Sequence, residues 1–147
     1  MSVEIRILKK SEQNILKAIA KDVFDHAVDQ RLAREFLRDP RHHIAVAIEG
    51  GLVVGFASGV HYVHPDKRPE LWINEVAVSP KHRKKGVGKR LLRALLRLGG
   101  SLGCKEAWVL TDRFNRAAVN MYASIGGVPY PHSLAMFTFD LPQRKRK

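Results

Sequence analysis

The sequence predicts an α+β domain on a mixed, mostly antiparallel sheet with flanking helices. Three observations predict it. Short β-rich runs and amphipathic helical stretches are interspersed along the chain. Glu49-Gly50-Gly51 lies between two β-rich runs and marks an antiparallel hairpin. The runs 71–78 and 106–111, joined by the helical stretch 86–102, form a strand–helix–strand crossover, so these two strands are parallel.

The elements follow in order. Residues 3–8, "VEIRIL", alternate apolar and polar side chains, as a half-buried strand does. Ser11, with Gln13 and Asn14, opens a helix whose apolar positions Ile15, Leu16, Ile19, Val23 and Phe24 recur at helical spacing. A second helix covers Asp29 to Arg38 and ends at Asp39-Pro40, because the residue before proline is driven out of the helical region. Strands 43–48 and 52–63 flank the glycine turn, and "LWINEVAV", 71–78, follows the loop "HPDKRP". Helix 86–102 carries Val87, Leu91, Leu92, Leu95 and Leu98 on one stripe. Strand 106–111, helix 115–125 and a closing hairpin around "PYPH", ending in "LAMFTFDL", complete a single domain, 1–141. A basic tail, 142–147, follows.

No apolar run reaches the roughly 20 residues that span a bilayer, and the N-terminus lacks the apolar block of a signal peptide. A single cysteine, Cys104, forms no internal disulfide, which fits a reducing, cytoplasmic compartment. No activating partner lies near it in sequence, so it reads as structural. The net charge of +12 raises the question of nucleic acid. Its distribution answers against: nine Lys or Arg and no acid lie between Lys81 and Lys105, and four more form the tail from Arg144. Setting those 13 aside leaves 13 basic residues against 14 acidic ones, so the excess is local. The basic block also lacks the interleaved aromatics of a single-strand platform. No metal site is expected: His61 and His64, three apart on a strand, face opposite ways, and His42, His43 and His82 fall in turns. His132, in the closing hairpin, is a candidate for lining a substrate cleft.

The local excess sits where a strand gives way to a helix. The first N–H groups of a helix have no internal partner and carry about half a positive charge, so such a turn binds anions. In "RKKGVGKR", Gly86 and Gly88 remove side chains where a phosphate approaches backbone nitrogens, and Arg83, Lys84, Lys85, Lys89 and Arg90 add charge. The stretch lacks the Lys-Ser/Thr ending of a nucleoside-triphosphate loop and the third glycine of the dinucleotide fingerprint.

"RKKGVG", 83–88, resembles the Arg/Gln-x-x-Gly-x-Gly/Ala signature of the GNAT N-acetyltransferases, which binds the pyrophosphate of acetyl-CoA. "NEVAVSPKHRKKGVGKRLL" is similar to that family's strand-loop-helix core, and "TDRFNRAAVNMYASIGG", 111–127, to its second signature. The resemblance covers residues 3 to 141. It implies a GNAT fold and direct transfer of acetyl from acetyl-CoA to an amine in a ternary complex. It also implies cofactor contacts at Val76, Ala77, Val78, Arg83, Lys84, Lys85, Gly86, Val87, Gly88, Lys89 and Asn115. Asn115 reads equally as a helix N-cap.

Two residues answer to the proton transfers of such a reaction. Alternation sets Glu75 on the same strand face as Leu71, Ile73 and Ala77, and burial there favours a neutral carboxyl able to act as base. A substrate anchor or an ordinary ion-paired carboxylate are its other readings. Tyr122 lies seven residues after Asn115, on the same helix face. The resemblance implies that it protonates the departing thiolate; spacing alone reads it as a packed aromatic. Within the family the chain looks most like the aminoglycoside 3-N-acetyltransferase branch, where Glu75 replaces an aspartate. That implies a small polycationic amine, for which Asp25, Asp29, Glu35, Asp112 and Asp140 are the candidate acidic partners. Asp25 and Asp29 share a face if their stretch is helical. The alternatives are acetylation of a protein lysine or N-terminal amine, or a CoA-binding module without turnover. The resemblance also implies a homodimer, which no feature of the sequence decides. Neither nucleic acid nor a membrane is expected as partner.

Overall fold

The computed structural model of the protein describes residues 2–145 and has the predicted α+β architecture. Of the basic tail, Arg146 and Lys147 lie outside the described residues. Five strands, β1 (Glu4–Ile7), β2 (His42–Glu49), β3 (Leu52–Tyr62), β4 (Glu70–Val78) and β5 (Ala107–Val109), lie side by side in chain order. The first four pair antiparallel. β5 joins β4 parallel, after the crossover helix α2 (Val87–Ser101). The other helices are α1 (Gln30–Arg38) and α3 (Arg116–Ser124).

The sheet is covered on both faces. On one, Val87, Leu91, Leu92 and Leu95 of α2 pack on Ala45, Ala47, Val54, Ala57, Leu71 and Ile73. On the other, Leu16, Val23 and Ala33 pack on Ile44, Val46, Val53 and Phe56, and Phe24 stacks on Phe56 at 4.0 Å. A strand buried on both sides has no polar face, which is why 44–47 and 53–57 read as continuous apolar runs. Each of the three buried leucines of α2 contributes about 2 kcal/mol by leaving water.

Two expected elements do not form. In place of a helix from Ser11 to Phe24 there is a 3-10 segment, Lys10–Lys17, with a kink at Glu12. Beyond it the backbone pairs with β3 instead: Val53 N–H donates to Ala18 O and Ala20 N–H to Val53 O. A non-local ladder thus overrides the helical spacing. Asp25 and Asp29 therefore share no helix face. The closing hairpin is also missing: 128–145 holds neither helix nor strand among the described residues. The chain bends at Pro131 and His132, but no strands pair across the bend; proline at 129 and 131 removes two backbone donors that such a ladder would use.

The histidines near the far end of α2 also depart from expectation. His42 and His43 lie in β2, not in a turn, and His64 lies beyond the end of β3. His43 Nε2 is 2.8 Å from His61 Nδ1, with the rings stacked. Burial, reinforced by His61, pushes His43 from its ordinary 6.5 down to about 4. The unfolded chain then binds more protons between those values. The stabilisation is complete above about 6.5 and is lost as pH falls toward about 4. After discounting for partial exposure, urea titrations at pH 7 and pH 5 should differ by about 1 kcal/mol from this source. His43→Val should flatten the difference; an unchanged pH dependence would assign it elsewhere.

Candidate active site

The site begins with a defect in β4. Its pairing with β3 runs from Tyr62 opposite Glu70 to Gly59 opposite Ile73, and then skips a residue, so that Ser58 stands opposite Glu75. Asn74 is the extra residue of this bulge. Leu71 and Ile73 before it pack on the α2 face. After it Val76 and Val78 take that face, and Ala77 packs on the opposite one. Glu75, two residues before Ala77, shares the opposite face and is exposed. The expected grouping of Glu75 with Leu71 and Ile73 is therefore wrong. The burial on which its neutral form depended is absent as well.

On its other side β4 pairs with β5 only from Leu71 to Ile73. Among the described residues no strand lies along its outer edge from Asn74 to Val78, so the two parallel strands part. The chain then passes through Pro80–His82 and a basic turn into α2. Arg83 Nε donates to Val78 O at 3.1 Å, tying the turn to the strand end. Lys84 (φ 62°) and Gly86 (φ 79°) both adopt the left-handed region. For a side-chain-bearing residue such as Lys84 this costs about 1 kcal/mol. A Cβ at Gly86 would meet nothing within 4 Å, so this glycine serves the backbone and leaves open space before it. At Gly88 a Cβ would lie 2.8 Å from Met121 Sδ, so this glycine also lets the Met121 side chain of α3 lie close to the start of α2. The first helical bond of the turn runs from Arg90 N–H to Gly86 O. The amides of Val87, Gly88 and Lys89 precede it without helical partners, and no acid stands in this first turn. Lys84 and Lys85 are exposed beside it, whereas Arg90 reaches away to Val3 O at 2.9 Å.

A side-chain chain holds this turn from behind. The buried Ser79 hydroxyl lies 3.1 Å from His82 Nδ1, and His82 Nε2 lies 3.2 Å from Oε1 of Glu49, the last residue of β2. Ser79 and Glu49 went unread in the sequence. Ser79 to His82 is a legible three-residue step, but Glu49 is 33 residues from His82 and only the fold brings it near.

Tyr122 is half-buried and packs against the α2-side core, as Val76 and Val78 also do. Burial pushes its phenol above the ordinary 10, so it keeps its proton at neutral pH. Asn115 caps α3, its Oδ1 accepting from Ala118 N–H at 3.1 Å. The candidate acids are spread along the chain, only Asp29 and Glu35 sharing an element, α1. Asp29 is the N-cap of α1, accepting from Arg31 and Leu32 N–H. Asp112 accepts from Phe114 N–H. Asp25, Glu35 and Asp140 are exposed, and His132 stands exposed beside Tyr130 rather than in a cleft. Cys104 is half-buried, and burial raises its thiol, as befits a structural residue. Among the described residues no group of three or more His, Cys, Asp or Glu side chains is placed to hold a metal ion, and no helix is long and apolar enough to cross a membrane.

An antiparallel sheet that splits at a bulge, with a basic, left-handed turn into a helix at the split, defines a class of protein. Residues 11–126 match the Acetyltransferase (GNAT) family, and the chain belongs to it. An aminoglycoside N(6')-acetyltransferase type 1 of Salmonella enteritidis is 27% identical over 84% of this chain and 90% of its own length. The N-alpha-acetyltransferase RimI of Mycobacterium tuberculosis is 34% identical over 61% of this chain and 54% of its own. Other relatives are longer; the chain matches 43% of rat N-acetyltransferase 8. Among solved structures, the aminoglycoside acetyltransferase meta-AAC0020 from a soil metagenome superposes with a TM-score of 0.78 at 18% identity, covering 95% of this chain and 97% of that one. AAC(6')-Iy in complex with CoA gives 0.75 at 22% identity, covering 93% and 95%. These likenesses establish the fold. Where these aminoglycoside acetyltransferase names give a position, it is N(6'), so they lend no support to the 3-N branch.

Proposed function

We propose that the chain moves acetyl from acetyl-CoA to a primary amine of a small polar, aminoglycoside-like molecule, by direct attack with both bound. The observation that carries this reading is the unpaired edge of β4, Asn74 to Val78, running straight into the turn at Gly86. The residues present fit the coenzyme: an open, left-handed Gly86, three unpartnered amides after it and the flanking Lys84 and Lys85 suit a pyrophosphate. The backbone of Val76 to Val78 offers hydrogen-bonding groups to an extended amide chain. Bound there, acetyl-CoA supplies an activated thioester.

The chain's own groups then divide by face. Tyr122 holds its proton on the α2 side, where a leaving sulfur needs one. Glu75, exposed on the opposite side of β4, accepts a proton from an arriving ammonium, directly or through water. Coenzyme and amine thus approach the gap from opposite faces. A peptide amine is the second reading, favoured by the RimI relative. The test is acetyl-CoA-dependent thiol release against gentamicin-type and other aminoglycosides, polyamines and a basic peptide. Saturable release with an aminoglycoside supports the proposal, and product NMR then fixes whether N3 or N6' is acetylated. Release with peptide alone replaces it by the second reading. No release from any acceptor overturns catalysis.

The Ser79–His82–Glu49 chain gives a further expectation. His82→Ala strands the buried Ser79 hydroxyl and frees the basic turn from Glu49. Losing about 1 kcal/mol of positioning should raise the acetyl-CoA KM roughly fivefold, with kcat nearly unchanged. An equal fall in kcat would place His82 in the chemistry instead.

A further inference from the structure

The Glu75 side of β4 carries a pair of indoles that the proton transfers leave unused. Trp72 of β4 stands in register with Trp108 of β5, and their rings pack at 5.5 Å with a 54° tilt. Leu71, Ile73 and Val109, their chain neighbours, pack on the α2 side. Alternation therefore sets both indoles on the opposite side, which after the bulge is the side of Glu75 and Ala77. Glu75 follows Trp72 by three residues along β4, about 10 Å away.

The pair is held in place and open. Trp108 Nε1 donates to Glu70 Oε2 at 2.9 Å, and Lys67 Nζ lies 2.7 Å from the other oxygen of that carboxylate. Cross-strand packing accounts for Trp72, which is half-buried, but not for Trp108, which is 49% exposed. The apolar cover of this side, from Leu16, Val23 and Ala33, packs on β2 and β3 and reaches β4 at Ala77. A fixed, solvent-facing indole attracts a cation to its face and takes the apolar face of a ring against it.

We propose that Trp108, backed by Trp72, is the specificity-determining surface for the acceptor. It receives a second, ammonium-bearing ring of the amine while the reacting nitrogen stands at Glu75. This rests on acetyl transfer to an amine on the Glu75 side. It also explains how a polycation is held where the candidate acids do not converge, since an aromatic face takes the place of a carboxylate. Lys67, the cation beside the pair, is taken up by Glu70 and does not repel such a ligand. A linear amine offers charge but no ring face, so the pair favours a compact polycationic saccharide.

Trp72 and Trp108 are the two tryptophans of the chain, so tryptophan emission reports on this pair alone. Titrating the full chain, saturated with CoA, with a gentamicin-type aminoglycoside should quench that emission saturably; an unmoved emission would overturn the proposal. Trp108→Ala should raise the aminoglycoside KM roughly tenfold, with kcat and the acetyl-CoA KM within about twofold. Trp108→Phe, which keeps an aromatic face, should recover most of the loss. An unchanged aminoglycoside KM in Trp108→Ala would overturn the role of the pair and leave the proposed reaction intact. Equal losses through kcat and the acetyl-CoA KM would make Trp108 a support of the sheet, and would overturn it too. No transfer from the wild-type chain to any saccharide amine is a separate failure, which removes the reaction and the pair's role with it.

Discussion

Gly86→Asp should abolish acetyl-CoA binding while the domain stays folded. Gly86 holds φ 79° before open space, so an added Cβ meets nothing within 4 Å and the cost is backbone strain alone. Aspartate is also among the side chains that tolerate the left-handed region best. The carboxylate instead confronts the pyrophosphate at the three unpartnered amides, where like charge costs several kcal/mol. About 3 kcal/mol is more than a hundredfold in affinity. Gly86→Asn is the control: similar backbone tolerance and nearly the same volume without charge. Isothermal titration with CoA should show the asparagine variant losing far less than the aspartate variant. Equal losses would assign the effect to backbone strain, and unchanged affinity in both would remove the turn from the coenzyme site.

Tyr122→Phe should lower kcat by about a hundredfold, within the range for a single positioned proton donor. The acetyl-CoA KM should move less than about twofold, since the ring and its packing on the α2-side core remain. Burial keeps the phenol protonated across the neutral range, so the loss should not vary between pH 6 and 8. An unchanged kcat would make the tyrosine a packing residue only. A higher KM with kcat preserved would make it a coenzyme contact.

Much of this was legible in the sequence. Helices 29–38, 86–102 and 115–125 and strands 43–48, 52–63 and 71–78 stand within about two residues of expectation, because each carries a strong local pattern with its own stop signals. The basic turn was equally local. Glu75 was misread because alternation assumes an unbroken pleat. A bulge is a property of pairing between β3 and β4, and nothing in "WINEVAV" announces that Asn74 is the residue skipped. The stretch after Ser11 was misread for a related reason: its helical spacing is real, but Val53 claims its backbone.

The sequence by itself determined the element order and the strand-to-helix turn rich in lysine and arginine, since these rest on local patterns; the parallel crossover between β4 and β5 followed from that order, because a strand–helix–strand unit closes that way. Tertiary structure alone decided which side of β4 each candidate group takes, and that Gly88 answers to Met121 while Gly86 answers to its own backbone. It alone joined Ser79 and His82 to Glu49, and left "LAMFTFDL" without a partner in its own domain. Those outcomes depend on register and on packing between residues far apart in the chain, and neither leaves a periodic trace in the residues that obey them.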